Sequence, residues 1–237
     1  MEDALVALSR RTAALVAERA PHVVRVEGRR RGPASGVVWS GDGLVVTAHH
    51  ALERDEEVEL GLASGESTTA EVVGRDPTTD LALLRASATG LQVPAWTDQA
   101  PAPGALVLSL SRPGKSVRAA LGLVARTAGE WRTAVGGKID RYLETSLDLA
   151  PGLSGSLVVG ADGAALGVAS AGLVRGAVMV VPPTTLRRVV GALAARCGQA
   201  HALLVSAVEP ESPAERGGIL VGDGLLALGG ERAGRRP

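Results

Sequence analysis

The chain has 237 residues, a length for one large or two modest domains, and its 46% hydrophobic and 21% charged residues exclude a disordered chain. Lys+Arg and Asp+Glu are 25 each, so the basic excess of a general nucleic-acid binder is missing. A single cysteine, Cys197, excludes an internal disulfide and a thiolate zinc site; no metal or cofactor motif occurs, and no run reaches the ~18 apolar residues of a membrane span.

The amino terminus is acidic, and Arg10-Arg11 interrupts its apolar stretch. No secretory leader is expected in this chain, which would be cytoplasmic if complete. Ala4, Leu5, Leu8, Ala13, Leu15, Val16 and Ala20 recur at three and four spacing, predicting an amphipathic helix over 2–20 that ends before Pro21. The run Arg29-Arg30-Arg31 reads as a solvated loop. Short Val/Leu-rich runs then follow one another, broken by Gly, Pro and Asp-Gly. They lie at 23–26, 36–40, 44–47, 58–62, 70–73, 81–85, 105–110, 121–125, 142–145, 156–159, 165–170 and 177–181. This texture predicts an all-β fold of barrels or a sandwich. Gly41-Asp42-Gly43 and Ala161-Asp162-Gly163 read as hairpin turns. With no Phe, three Trp and one Tyr, the core must be Val, Leu and Ala. Pro182-Pro183 stops the last strand, and Thr184-Thr185 is positioned to cap a closing helix over 186–197, with Leu186, Val189, Val190 and Leu193 on one face. Cys197 reads as a small buried hydrophobe near that helix's end. A further strand opens residues 201–237.

Three local patterns carry chemistry. They are Thr47-Ala48-His49-His50 after an apolar strand, Asp76-Pro77-Thr78-Thr79-Asp80 before one, and Pro151-Gly152-Leu153-Ser154-Gly155. Each alone has a structural reading: a histidine at a strand end, an aspartate meeting backbone donors, a turn serine between glycines. Their order adds information. A nucleophilic serine needs a base, and the base needs an acid to hold its tautomer. His, then Asp, then Ser is the chain order used by paired β-barrels. The Gly-x-Ser-Gly turn can aim the N–H groups of Gly152 and Ser154 at one point, as a developing oxyanion requires. His49 reads as a neighbour of the site or a surface residue; His22 and His201 read as structural.

On these residues the chain resembles the HtrA (Deg) family of trypsin-like serine proteases. Ser35-Gly36-Val37-Val38, Asp42-Gly43-Leu44-Val45-Val46-Thr47 and His50 are similar to the family's stretch around its catalytic histidine. Val73-Gly74-Arg75-Asp76-Pro77-Thr78-Thr79-Asp80-Leu81-Ala82 is similar, almost residue for residue, to the stretch around its aspartate. Pro151 to Gly155 resembles the serine loop, and Val181-Pro182 with the following helix resembles the closing segment. The resemblance implies two six-stranded antiparallel β-barrels with short flanking helices. The protease domain would cover 21–200, with barrels over about 21–105 and 106–185. It implies His50 as general base, Asp80 as its orienter, Ser154 as nucleophile, and Gly152 with Ser154 as oxyanion donors. An imidazole base must be neutral, so activity is expected to climb through about pH 6.5–7.5. The chain departs from the family at Leu153 and Ser156-Leu157 in the serine loop and at Ala48-His49 before the histidine.

The resemblance further implies that Leu149 lines the pocket for the residue before the scissile bond, favouring aliphatic side chains; Asp148 beside it offers the rival basic preference. Residues 202–226 resemble the first half of a PDZ domain, with Ala202-Leu203-Leu204 as carboxylate loop and pairing edge, but the chain stops before the helix of the groove's far wall. Unfolded polypeptides are the implied substrates, in protein quality control, and no cofactor is implied. The family is usually periplasmic or at the cell envelope. Its trimers use aromatic contacts near the amino end; here the first aromatic is Trp39, so a homo-oligomer stays open and a trimer is not assigned. The alternative function is a catalytically inert or latent protease-fold chaperone or binding module.

Overall fold

A computed structural model describes residues 3–29, 32–53, 57–148, 150 and 152–195, and beyond them 203–204, 212–217, 219, 224–225, 227–228 and 231–232. The sequence expectations for Arg30, Arg31, Leu149, Cys197, His201 and Ala202 lie outside the described residues. Two units follow one another, divided between Ala195 and Arg196.

The first unit opens with helix α1 (Ala4–Arg19), whose Asp3 cap accepts the Leu5 N–H at 3.0 Å. The helix forms as its spacing predicts, but its apolar face is largely open: Leu15 alone is buried, while Leu5 is 74% exposed. Leu15 enters the core, and Arg19 Nε donates to Gly163 O at 3.0 Å. A short 3-10 turn, Ala20–His22, leads into the first strand, with His22 buried and its Nδ1 against Gln92 O at 3.0 Å.

Six strands then close into a barrel: β1 (Val23–Val26), β2 (Ala34–Val38), β3 (Leu44–Ala48), β4 (Val58–Gly61), β5 (Ser67–Asp76) and β6 (Leu81–Ala86), in the order β1-β2-β3-β6-β5-β4. All pairings are antiparallel, and β1–β4 closes the ring. The second barrel holds β7 (Leu106–Ser111), β8 (Arg118–Ala128), β11 (Tyr142–Thr145), β12 (Leu157–Gly160), β13 (Ala165–Ser170) and β14 (Val178–Val181), with a two-strand pair, β9 (Trp131–Arg132) and β10 (Lys138–Ile139), between β8 and β11. Closure leaves neither barrel a free edge.

The alternation of side chains along a strand explains why β2 and β3 are buried at every position. Val38 and Val45 point into the first barrel with Val24, Leu60 and Leu84. Val37 and Val46 point the other way, into a shared core with Leu110, Leu157 and Val168 of the second barrel. The second barrel's own interior holds Val107, Val124, Leu143, Val158 and Val180. The linker between barrels carries Trp96, which bridges to Ala165 and stacks on Trp39 of the first barrel with ring centres 5.5 Å apart.

Three sequence expectations shift. β5 and β8 run far beyond 70–73 and 121–125, because their outer residues are exposed or half-buried and carry no apolar run to mark them. The β9–β10 pair was not expected. Helix α2 (Pro183–Ala195) starts three residues early: the second proline enters its first turn, where a missing N–H is harmless. Thr185 is therefore no cap. It is buried inside the helix, donating to Asp140 Oδ2 at 2.7 Å and accepting the Asp140 N–H at 2.9 Å. Leu186, Val189, Val190 and Leu193 form the buried face as expected.

In the second unit, Leu203–Leu204 pairs with Gly224–Leu225, Ala227–Leu228 pairs with Glu231–Arg232, and Pro213–Arg216 is a single helical turn.

Candidate active site

The site grows from three junctions. β3 ends at Ala48, opposite Leu81 at the start of β6, so the residues just past one strand meet those just before the other. A 3-10 turn, His49–Ala51, follows β3, and its His49 N–H donates to Asp80 O at 3.0 Å. The β5–β6 connection spans residues 77–80, after a register shift between Val72 and Gly74. Asp76 organises that connection: its carboxylate accepts the Thr78 N–H at 3.0 Å, Thr78 Oγ1 at 2.6 Å and Thr79 Oγ1 at 2.7 Å. Asp80 at its end has φ of +55°, a left-handed conformation that Asp tolerates better than most residues. Such a backbone costs about 1–3 kcal/mol where it occurs and concentrates at functional sites.

Asp80 and His50 are directly bonded. His50 Nδ1 lies 2.9 Å and 2.8 Å from Asp80 Oδ1 and Oδ2, and Oδ1 also accepts the His50 backbone N–H at 3.0 Å. Asp80 is 5% exposed, whereas the His50 side chain is about one-third open. Ser170 Oγ donates to Asp80 Oδ2 at 2.5 Å. Burial alone pushes the Asp80 carboxyl up, but the His50 hydrogen bond and charge, with the Ser170 hydroxyl, outweigh it and hold the group below the ordinary carboxylate value. The carboxylate is kept ionised against a ring whose Nε2 is left for other work.

Ser154 lies between β11 and β12. Leu153 N–H donates to Ala150 O, Ser156 N–H to Leu153 O and Gly155 N–H to Ala169 O, at 2.8 to 3.1 Å. Gly155 has φ of +83°, and a Cβ there would lie 1.9 Å from Ser35 O, so no other residue fits. The departures from the family pattern are absorbed by packing: Leu153 and Leu157 are buried, and Ser156 Oγ bonds Ser109 Oγ at 2.9 Å. Among the described residues, neither the Gly152 nor the Ser154 N–H donates to an acceptor.

The segment after β13 joins the two halves. Ala171 N–H donates to Ser154 Oγ at 3.3 Å. At the next residue, Gly172, a Cβ would lie 2.7 Å from His50 Nδ1 and 2.9 Å from Asp80 Oδ2. His50, Asp80 and Ser154 therefore converge on two consecutive residues. Among the described residues no hydrogen bond joins Ser154 Oγ to His50. Asp148 is exposed, with its carbonyl accepting the Ala150 N–H at 2.8 Å. His49 is partly exposed and touches Asp80 through its backbone only.

Sequence reasoning missed Ser170 and Gly172. Ser170 closes an otherwise apolar strand and Gly172 follows two residues later, a polar interruption that marks the strand end facing the candidate site. Among the described residues no group of three or more His, Cys, Asp or Glu is arranged to hold a metal, and no helix is long and apolar enough to cross a membrane.

Twin antiparallel barrels with an acid–imidazole pair on one and a glycine-flanked, buried serine turn on the other define a trypsin-like peptidase fold, and residues 34–168 match that family: the chain belongs to the trypsin-like peptidase domain family. Over most of its length its homologues are HtrA/Deg serine endoproteases. It is 28% identical over 236 residues to a probable periplasmic serine endoprotease DegP-like of Marinomonas sp., covering 86% of this chain and 50% of the relative. It is 26% identical over 222 residues to the serine endoprotease DegS of Haemophilus influenzae, covering 82% and 64%. It is 26% identical over 242 residues to the putative serine protease HhoB of Synechocystis sp., covering 85% and 58%. The chain thus spans between half and two thirds of the length of these relatives.

Proposed function

We propose that this chain is a serine endopeptidase of HtrA type that cleaves unfolded polypeptides in protein quality control through an acyl-enzyme. His50 Nε2 takes the proton of Ser154 Oγ as that oxygen attacks the scissile carbonyl carbon. Asp80 holds the ring through Nδ1 and stabilises the imidazolium. The N–H groups of Gly152 and Ser154 receive the oxyanion, the leaving amine carries away the proton, and water releases the acyl group by the same route. The bonded His50–Asp80 pair, meeting Ser154 across Ala171–Gly172, is the observation that carries this reading. Catalytic hydrogen bonds often tighten only when substrate binds, which accommodates the separate Ser154 hydroxyl.

A fluorophosphonate probe is expected to label Ser154, and Ser154→Ala is expected to lose labelling and to slow cleavage of casein by ~10⁴-fold or more with the fold intact. Casein cleavage that survives Ser154→Ala would sink the proposal. The aliphatic preference proposed through Leu149 is checked by peptides bearing Val, Ala, Arg or Lys before the scissile bond; Arg cleaved best would assign the pocket to Asp148.

One observation favours a second reading, a latent or inert protease-fold chaperone or binding module: the Ser154 hydroxyl accepts from Ala171 rather than donating to His50. Suppression of aggregation with no labelling under any activating condition would favour it.

A further inference from the structure

Ser35 lies on β2 in the first barrel, fully buried, yet it is bonded into the serine loop of the second. Its hydroxyl donates to Gly152 O at 2.8 Å and accepts the Arg112 N–H at 2.8 Å. Its own N–H donates to Ser154 O at 3.3 Å. Its carbonyl accepts Thr47 Oγ1 at 2.7 Å and sits against Gly155, where a Cβ would not fit. One side chain and its backbone therefore contact residues 152, 154 and 155.

We infer that Ser35 is a positioning residue for the nucleophile loop, fixing from the opposite barrel the peptide plane between Gly152 and Leu153. That plane is pinned on both edges: its carbonyl by the Ser35 hydroxyl, its N–H by Ala150 O at 3.1 Å. A flip of the plane breaks both bonds at once; the Gly152 N–H lies on the preceding peptide plane, so Ser35 acts by fixing the link between that plane and Ser154. The support is itself anchored. Arg112 is buried, and its guanidinium donates to three carbonyls, Val23 O at 2.8 Å, Ala20 O at 2.9 Å and Lys115 O at 3.0 Å. Its backbone N–H is thereby held where Ser35 Oγ needs a donor, leaving the Ser35 proton directed at Gly152. Removing the hydroxyl strands a buried carbonyl and a buried N–H, and the loop gains a reason to rearrange. A site held by such a supporting layer loses rate before it loses binding.

The catalytic consequence rests on the protease reading; the structural consequence does not. The test combines hydrogen exchange of the amides of 150 and 152–156 with kinetics on a peptide substrate, in wild type, Ser35→Ala and Thr185→Val. The last removes a buried hydroxyl bonded to Asp140 instead. Ser35→Ala is expected to exchange these amides roughly tenfold faster than Thr185→Val does, and to lower kcat about 10- to 100-fold with KM within about threefold. Exchange no faster than in Thr185→Val overturns the inference, whether or not the wild type is active; so does an unchanged kcat in an active enzyme. Faster exchange in Ser35→Ala, beside a wild type that neither cleaves nor labels under any activating condition, keeps the Ser35 role and overturns the protease reading. If Ser35→Ala does not fold, Ser35→Cys, close in size and a poor donor, is expected to shift exchange and kcat in the same directions.

Discussion

The two halves of the candidate site are built by different means. On the first barrel, the aspartate turn is shaped mainly from within, where Asp76 ties Thr78 and Thr79 and Asp80 bonds the residue two past the neighbouring strand, with Thr133 Oγ1 donating to Thr78 O and Ser170 Oγ to Asp80 from the other half. On the second barrel, the serine loop leans on distant residues: Ser35 holds Gly152 and Ser154, and Ala169 holds Gly155. A turn that closes on its own hydrogen bonds is a property of a short stretch of sequence. A loop held from another barrel is a property of the assembled fold, and changes in docking reach it first.

Substitutions can sharpen that contrast. The largest expected effect is Asp80→Asn, which leaves the turn standing but presents the wrong partner to His50 Nδ1; kcat on a peptide should fall by ~10⁴-fold with the fold retained. Gly155→Ala should strike the fold instead, because the new methyl meets Ser35 O in a backbone conformation that favours glycine. A loss of about 3 kcal/mol or more in denaturant unfolding is expected. Ser170→Ala removes one donor from Asp80 and should lower kcat about tenfold, the fold again intact. Smallest is Thr79→Val, which unties one bond of the turn and should cost about 1 kcal/mol in the same unfolding measurement.

Acidification separates the halves as well. Asp76 and Asp80 are both held below the ordinary carboxylate value of 3.8; for each, burial pushes up and is outweighed by hydrogen bonds, from Thr78 and Thr79 in one case and from His50 and Ser170 in the other. A carboxyl lowered by folding contributes stability that is present above its unfolded value and is lost as pH falls through the folded one. Unfolding free energy should therefore drop as pH falls below about 4, and Asp80→Asn should flatten part of that drop. An unchanged acid limb in Asp80→Asn would assign the effect to other groups.

The same contrast sets how much was legible in the sequence. The twelve barrel strands follow from apolar runs punctuated by Gly, Pro and Asp, and the aspartate turn from a contiguous Asp-Pro-Thr-Thr-Asp. The outer reaches of β5 and β8 left no mark, because half-exposed strands carry polar residues at both phases. β9 and β10 are two residues each, too short for any period to register. Ser170 reaches Asp80 across 90 positions and Ser35 reaches Gly152 across 117, separations at which local pattern carries no information. The serine loop was visible as glycines around a serine; what holds it was not.

The poverty of aromatic residues has a practical side. Trp39 follows a strand of the first barrel and Trp96 is stitched to a strand of the second, with their rings tilted 40° to each other. Two indoles this close couple electronically, and the chain's other aromatics, Trp131 and Tyr142, form a separate pair with ring centres 5.3 Å apart whose signal Trp131→Leu removes. The near-ultraviolet circular dichroism of the unlabelled polypeptide is thus an intrinsic gauge of whether its lobes remain docked, readable without any dye.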